Sequence, residues 1–185
     1  KGFDRMISRH AIEPVLREEQ TATPLPVRSR RNTADGFIEF MEGPGALLQK
    51  LIADSLDPEE TGGCVPLSTI LLQLLNDWGL KAHRIEGTFI KEFHSFVVIN
   101  LDGVEYVLDV SADQFVPGVA PVLVPRDFCH LDGRGKLARE GVPVYVVGKI
   151  FAPEQTWLRQ GKTSDVYRSM YETVRASREA ATQQR

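Results

Sequence analysis

The sequence is poor in cysteine. Only Cys64 and Cys129 occur among its 185 residues, too few for the disulfide framework of a small secreted domain, although one bridge could form. This scarcity favours a reducing, cytoplasmic setting. The Cys and His residues also lack the paired short spacings of zinc ligands, and no phosphate-binding glycine loop is present. We therefore expect neither a metal ion nor another cofactor.

An excess of basic charge and long hydrophobic runs are also missing. The net charge is −3, which argues against a nucleic-acid partner. No apolar stretch approaches the length that spans a bilayer, so we expect no membrane partner. The first residues, Lys1-Gly2-Phe3-Asp4, include neither an initiator methionine nor the apolar region of a signal peptide. We therefore expect a fragment cut from a longer protein.

The composition that is present suits one globular domain. Hydrophobic residues make up 42% and charged residues 25% of the chain, which is ordinary for such a domain, and the length allows a genuine core. Before residue 35, prolines and a basic cluster with few apolar residues indicate an arm or linker. We predict an arm over residues 1–34 and a single domain over residues 35–185.

The glycine pair before Cys64 opens a strongly periodic apolar segment. Its leucines, Ile70 and Trp78 recur at helical spacing, which predicts a buried helix over residues 65–78 that ends at Gly79. The positive end of the helix dipole favours a thiolate at Cys64, and glycine at position 63 permits a close approach by a substrate. Cys64 is therefore a candidate nucleophile. Two further helices are predicted, from Pro44 to Ser55 and over residues 163–181 with Val166, Met170 and Val174 on the inner face.

Strand patterns follow the central helix. They cover residues 81–90, 94–100 and 104–110, and a further strand is expected over residues 142–148. Asp102-Gly103 predicts a tight hairpin between the second and third strands. That turn places residue 111 opposite His94 and makes Asp109 the diagonal neighbour of His94 on the same face. The fold class is therefore α+β, with the nucleophile helix packed on an antiparallel sheet.

Cys64, His94 and Asp109 form a candidate catalytic triad. A thiol needs an imidazole to be activated, and a carboxylate orients the imidazole and stabilises its charged form. Taken singly, each residue also suits a structural role, but their order on helix, strand and paired strand favours catalysis. Asp113 is a rival orienter. Gly63 and Gln114 are candidates for contacts to the substrate or the oxyanion, beside the backbone N–H of Cys64.

Four segments carry a resemblance to a known family. They are Gly-Gly-Cys-Val-Pro-Leu-Ser at 62–68, Gly-Leu-Lys-Ala-His-Arg-Ile-Glu-Gly at 79–87, His-Ser-Phe-Val-Val-Ile at 94–99, and Tyr-Val-Leu-Asp-Val-Ser-Ala-Asp-Gln-Phe at 106–115. Together they resemble the transglutaminase-like branch of the papain-like cysteine-enzyme superfamily. The resemblance implies that fold, with Cys64, His94 and Asp109 at the catalytic positions. Val65 and Phe96 depart from residues common in the family, which argues against cross-linking activity.

The last of these segments also resembles small bacterial papain-like toxin and effector domains. The resemblance implies a cysteine hydrolase that acts on protein amide bonds, as a protease or a glutamine deamidase, through an acyl-thioester intermediate. We expect a protein or peptide substrate, and a location in the cytoplasm or, as part of a longer effector, in a target cell. The alternatives are a transglutaminase, a CoA-dependent N-acetyltransferase with the same Cys-His-Asp order, and a non-catalytic binding module with the same fold.

Overall fold

The structure is a computed structural model, which describes residues 32–56, 63–115, 121–128, 130–131, 137–138, 142–151 and 165–183. Most of the predicted arm and Cys129 lie outside these ranges, so the division of the chain at residue 34 stays a prediction. Within the described residues, no helix is long and apolar enough to cross a membrane.

The described elements form an α+β fold, as the sequence predicts. The α-helices are α1 (Ala34–Phe40), α2 (Ala46–Ser55), α3 (Cys64–Trp78) and α4 (Asp165–Gln183). The strands are β1 (Ala82–Phe89), β2 (Glu92–Leu101), β3 (Val104–Asp109), β4 (Val122–Pro125), β5 (His130–Leu131), β6 (Leu137–Ala138), β7 (Val142–Pro143) and β8 (Tyr145–Phe151). An antiparallel five-stranded sheet has the order β4-β3-β2-β1-β8, and β6-β5-β7 form a small second sheet.

The hairpin between β2 and β3 has the predicted register. Val97 pairs with Leu108, and Leu101 pairs with Val104. The turn residues Asp102 and Gly103 both have positive φ angles, 51° and 89°, which are the angles of the tight turn that fits the twist of a two-stranded ribbon. This register carries the end of β3 back to the start of β2, where His94 lies.

Helix α3 is the buried centre of the fold. Its predicted apolar face is buried against one face of the five-stranded sheet, with Trp78 half-buried at its end. Gly79 ends the helix in the left-handed conformation, with φ of 90°. A second apolar cluster covers the opposite face of the sheet and includes Phe89, Phe96 and Tyr145. The sheet is therefore covered on both faces, and a polar group on it must find a partner inside the protein.

Three local expectations need correction. Pro44 lies inside a π-helical turn, Met41–Gly45, that joins α1 to α2, and not in a first helical turn. The wider π-helical turn changes the backbone hydrogen-bond pattern, so that no hydrogen bond is needed from Pro44, whose nitrogen carries no proton. Val166 of α4 is 45% exposed, whereas Met170 and Val174 are buried as predicted. The strand predicted over residues 142–148 runs instead over Tyr145–Phe151. Residues 142–143 belong to the small sheet.

Candidate active site

Cys64 is the first residue of α3, and Gly63 precedes it as the N-cap without a side-chain cap. The thiol is free and only 5% exposed. The first backbone N–H groups of a helix have no partner within it, and they give the N-terminus a partial positive charge. A thiolate and a developing oxyanion are both stabilised at such a position.

His94 and Asp109 meet at the end of the β2–β3 hairpin. The His94 Nε2 atom lies 2.6 Å from Asp109 Oδ2, and both side chains are fully buried. The predicted diagonal relation on one face of the sheet therefore brings the two side chains into a hydrogen bond. The contact fixes the imidazole in one orientation and leaves its Nδ1 atom for a second partner.

Asp109 is held by two residues that the sequence reasoning missed. Its Oδ1 atom accepts hydrogen bonds from the backbone N–H of Ser111 at 2.9 Å and from the Ser111 hydroxyl at 3.0 Å. Its Oδ2 atom accepts a hydrogen bond from the Tyr145 hydroxyl at 2.9 Å. Asp followed two residues later by Ser is a local turn signal that could have revealed Ser111. Tyr145 reaches the site from β8, and no local sequence pattern points to it.

The environment of His94 favours the imidazolium form. Burial lowers the pKa of His94, but hydrogen bonds and negative charge from Asp109 and from Cys64 outweigh burial and raise the pKa to about 9. The Nδ1 atom is buried and makes no hydrogen bond of ordinary geometry with the described residues. Because Asp109 occupies Nε2, the Nδ1 atom is the one available to the Cys64 thiol. The site can therefore hold a thiolate–imidazolium pair.

Aromatic rings surround the imidazole. The ring centroids of Phe115, Phe89, Phe96 and Tyr145 lie 4.8, 5.8, 6.2 and 6.5 Å from that of His94. The π-face of an aromatic ring attracts a cation, and the rings exclude water that would weaken the ion pair with Asp109. His94 is therefore shielded from water, whereas Cys64 is 5% exposed.

Gln114 lies beside the start of α3. A Cβ atom built on Gly63 would be 2.9 Å from Gln114 Nε2 and 3.3 Å from the Tyr167 hydroxyl. The structure thus brings both candidate contact residues, Gly63 and Gln114, to the helix start at Cys64, with Tyr167 as a neighbour from α4. Asp113, the rival orienter, is half-buried in the short 3-10 helix that carries Gln114. It is Asp109 that bonds to the imidazole.

Among the described residues, no group of three or more His, Cys, Asp or Glu side chains is arranged to hold a metal ion. The chemistry that the residues at the site can perform is nucleophilic: a thiol at a helix N-terminus, an imidazole within its reach, and a buried carboxylate behind the imidazole.

No protein-family model matches this chain, and no curated protein sequence matches it. Among solved structures, the chain is similar to the catalytic domain of the Salmonella virulence factor SseI, with 23% sequence identity and a TM-score of 0.32. The match covers 57% of this chain and 65% of that domain, which is slightly less than two thirds of it. At this TM-score the similarity carries no argument about reaction or substrate, so both are argued from the site itself.

Proposed function

We propose that this protein is a cysteine hydrolase that cleaves amide bonds of a protein or peptide substrate, with Cys64 as nucleophile, His94 as general base and acid, and Asp109 as orienter. The observation that carries the proposal is the buried hydrogen bond of 2.6 Å between His94 Nε2 and Asp109 Oδ2, with Cys64 close enough to the same ring to raise its pKa. A structural histidine would not need both a thiol and a carboxylate beside it.

The reaction begins when the Cys64 sulfur attacks the carbonyl carbon of the substrate amide. His94 holds the proton taken from the thiol and delivers it to the leaving nitrogen as the C–N bond breaks. The products of this half are an amine, or ammonia from a side-chain carboxamide, and an acyl-thioester on Cys64. His94 then takes a proton from water, and the resulting hydroxide attacks the thioester. A carboxylic acid and the free thiol result.

The oxyanion of the tetrahedral intermediate needs hydrogen-bond donors that are already in place. The backbone N–H of Cys64, at the start of α3, is the first candidate donor. The side-chain amide of Gln114 is the second candidate, because Gln114 Nε2 lies next to Gly63. Two donors on different elements would converge on one carbonyl oxygen. Gly63 has no side chain, and this leaves room for the Gln114 amide beside the start of α3.

The proposal includes a papain-like or transglutaminase-like core. The order of nucleophile helix and antiparallel strands, with His94 on β2 and Asp109 on β3, supports that assignment. Action inside a target cell, as part of a longer effector, rests on the sequence resemblance alone.

Substitution of the nucleophile tests the proposal. We expect Cys64→Ala to lose activity entirely while the far-ultraviolet circular dichroism spectrum and thermal unfolding stay close to those of the wild type. The wild-type thiol should react with iodoacetamide at pH 6 faster than a model thiol does, since a paired thiolate is present at that pH. Cys129→Ala is the matched control, because it removes the other thiol. Full activity of Cys64→Ala on a true substrate would refute the mechanism.

The acyl acceptor is identified by intact-mass analysis of candidate protein substrates. Conversion of a carboxamide to an acid gives a very small mass gain and indicates deamidation. A shorter fragment indicates proteolysis. Loss of ammonia with joining of two chains indicates transglutamination, and acetylation of an amine only in the presence of acetyl-CoA indicates N-acetyl transfer. If every candidate substrate keeps its mass and the Cys64 thiol is no more reactive than a model thiol, the protein is a binding module.

A further inference from the structure

A chain of buried polar side chains connects the sheet to α3 close to the thiol and the imidazole. It consists of Arg84 on β1, Ser95 on β2 and Ser68 on α3, and is called the Arg–Ser–Ser chain below. The three residues are 4%, 0% and 2% exposed. Arg84 Nη1 donates to Ser95 Oγ at 3.1 Å, and the Oγ atoms of Ser95 and Ser68 lie 2.7 Å apart. The chain therefore bridges the sheet and the helix that carry the site.

The hydrogen bonds of this chain run in one direction. The Ser68 hydroxyl donates its proton to the backbone carbonyl of Val65, at 3.0 Å. With the single Ser68 proton on the Val65 carbonyl, Ser95 donates to Ser68, and Arg84, whose guanidinium accepts no hydrogen bond, donates to Ser95. The donors are thus aligned from the guanidinium to a carbonyl in the first turn of α3. Aligned hydrogen bonds in a low-dielectric interior strengthen one another, and they favour a single arrangement.

The two serines are placed to control the distance between the reacting groups. Ser95 directly follows His94 on β2, and its side chain points to the opposite face of the sheet. Ser68 lies one helical turn after Cys64, on the same side of α3. Their mutual hydrogen bond therefore fixes the start of α3 against the start of β2. The hydrogen bonds of the two serines in the described structure do not include the imidazole, so we expect any effect on the chemistry to pass through position.

The burial of the charged Arg84 side chain is energetically unfavourable. Its guanidinium pairs with Glu86 at 2.8 Å and lies over the ring of Phe151, with its central carbon 4.1 Å from the ring centroid. Its Nε atom is buried and has no hydrogen-bond partner among the described residues. Burial of a charge with an unsatisfied donor costs free energy that one ion pair does not reliably recover. A role in positioning gives a reason for this arrangement that stability alone does not give.

We propose that Ser68, Ser95 and Arg84 are positioning residues that hold the Cys64 thiol at the His94 imidazole, so that the proton can pass from sulfur to nitrogen. This inference rests on the proposed function. The titratable and charged groups next to the pair or to the two serines are Asp109 on β3, Tyr145 on β8, Arg84 with its partner Glu86 on β1, and Tyr167 on α4. Serine-to-alanine substitutions remove none of these groups.

The test measures alkylation of Cys64 by iodoacetamide at pH 6 and pH 10, with the labelled peptide located by mass spectrometry. The proteins are the wild-type chain, Ser95→Ala, Ser68→Ala and the double variant, each also measured by thermal unfolding. Ser177→Ala is the matched control. The Ser177 hydroxyl also donates to the carbonyl three residues earlier, at 2.7 Å, but it lies on α4.

We expect each single variant to lower the rate constant at pH 6 about tenfold, the change that corresponds to one unit on the pH scale. At pH 10 a thiol ionises without help from the imidazole, and the rate constants should agree within about twofold. The double variant should be no slower than either single variant, because both serines belong to one chain of hydrogen bonds. Ser177→Ala should match the wild type at both pH values.

Two results would count against the inference and are distinguishable. If the serine variants unfold at lower temperature but keep the wild-type ratio of rates at pH 6 and pH 10, the Arg–Ser–Ser chain is structural only, and the proposed function stands. If the wild-type thiol reacts at pH 6 no faster than a model thiol, there is no activated pair to position. Both proposals then fail.

Discussion

Two carboxylates four positions apart have different surroundings. Asp109 is buried and accepts four hydrogen bonds, two from Ser111, one from Tyr145 and one from His94. Asp113 is half-buried on a short 3-10 helix. A carboxylate held by donors on both oxygens cannot rotate away from the imidazole, so it fixes the ring and stabilises its positive charge.

The first prediction at the residue scale concerns Asp109→Asn. The amide replaces one acceptor oxygen by a donor and removes the negative charge, so the pKa of His94 should fall from its raised value of about 9. We expect the turnover rate to fall by at least about 100-fold, the size of a general acid–base contribution. Nuclear magnetic resonance titration of the His94 ring protons measures the change in pKa directly.

Asp113→Asn is the matched control for that substitution. It changes the same carboxylate to the same amide four residues further along the chain. We expect turnover within about twofold of the wild type, as for a substitution that removes no transition-state interaction. A large loss with Asp113→Asn and a small loss with Asp109→Asn would reverse the assignment of the orienter.

At the scale of elements, the site lies where α3 meets the segment that follows β3. Gly63 allows Gln114 Nε2 to lie beside the helix start, because a Cβ there would be 2.9 Å from that atom. The Cα of a glycine presents no side chain, so two elements can approach closely. The position of the candidate oxyanion donor therefore depends on the absence of one carbon atom.

Gly63→Ala tests this arrangement. The added carbon conflicts with the end of a flexible side chain, which can move without a change in the backbone. We therefore expect a loss of stability of no more than about 1 kcal/mol. Turnover should fall by about tenfold or more, since removal of one oxyanion donor costs at least that much. Gln114→Ala should give a similar loss, and the two substitutions together should not be additive.

Gly87→Ala provides the contrast. Its Cβ would lie 1.9 Å from the carbonyl oxygen of Val146, at the place where the register of β1 and β8 shifts. The backbone of a paired strand cannot move aside cheaply, so this variant should unfold at much lower temperature. A Gly63→Ala protein as unstable as Gly87→Ala would show that Gly63 has a structural role.

At the scale of the whole molecule, the buried charge of His94 makes stability depend on pH. The pKa of His94 is raised from 6.5 to about 9 in the fold, so the folded imidazole holds a proton that the unfolded imidazole releases, whereas a paired thiolate at Cys64 has lost the proton that the unfolded thiol keeps. The stabilisation is complete below pH 6.5 and is lost as the pH rises through 9. The pKa of Tyr171 is raised to about 12, by burial and by its hydrogen bond to Asp77, so its effect lies above this range.

In Cys64→Ala, where no thiolate offsets the proton of His94, we therefore expect the free energy of unfolding to decrease as the pH rises from 6.5 through the raised pKa of His94. Urea unfolding at a series of pH values measures this decrease. The slope should be much smaller in the wild type, where the two protons offset each other, and in the double variant Cys64→Ala/Asp109→Asn, which lacks the main source of the raised pKa. A free energy of Cys64→Ala that is constant over this range would contradict the protonated state assigned to His94.

The elements closest to the proposed chemistry were predictable from the sequence. Helix α3 has an uninterrupted apolar period, and the Asp102-Gly103 turn has one strongly preferred geometry, so both the helix and the β2–β3 register follow from local rules. The register in turn predicted that His94 and Asp109 share a face. Local preference and tertiary packing agree at these elements, and for that reason the sequence was sufficient.

The remaining features depended on contacts between distant parts of the chain. Tyr145 meets Asp109 from 36 positions away, and Ser68 meets Ser95 from 27 positions away. Arg84 is charged but buried on β1, and nothing in its local sequence indicates the partners that it meets there. The sequence by itself determined the α+β class, the helix that begins at Cys64 and the hairpin, because short-range periodicity and turn geometry specify them. Only the tertiary structure decided which polar groups surround the imidazole, because side chains from separate elements come together only when the sheet and α3 are packed.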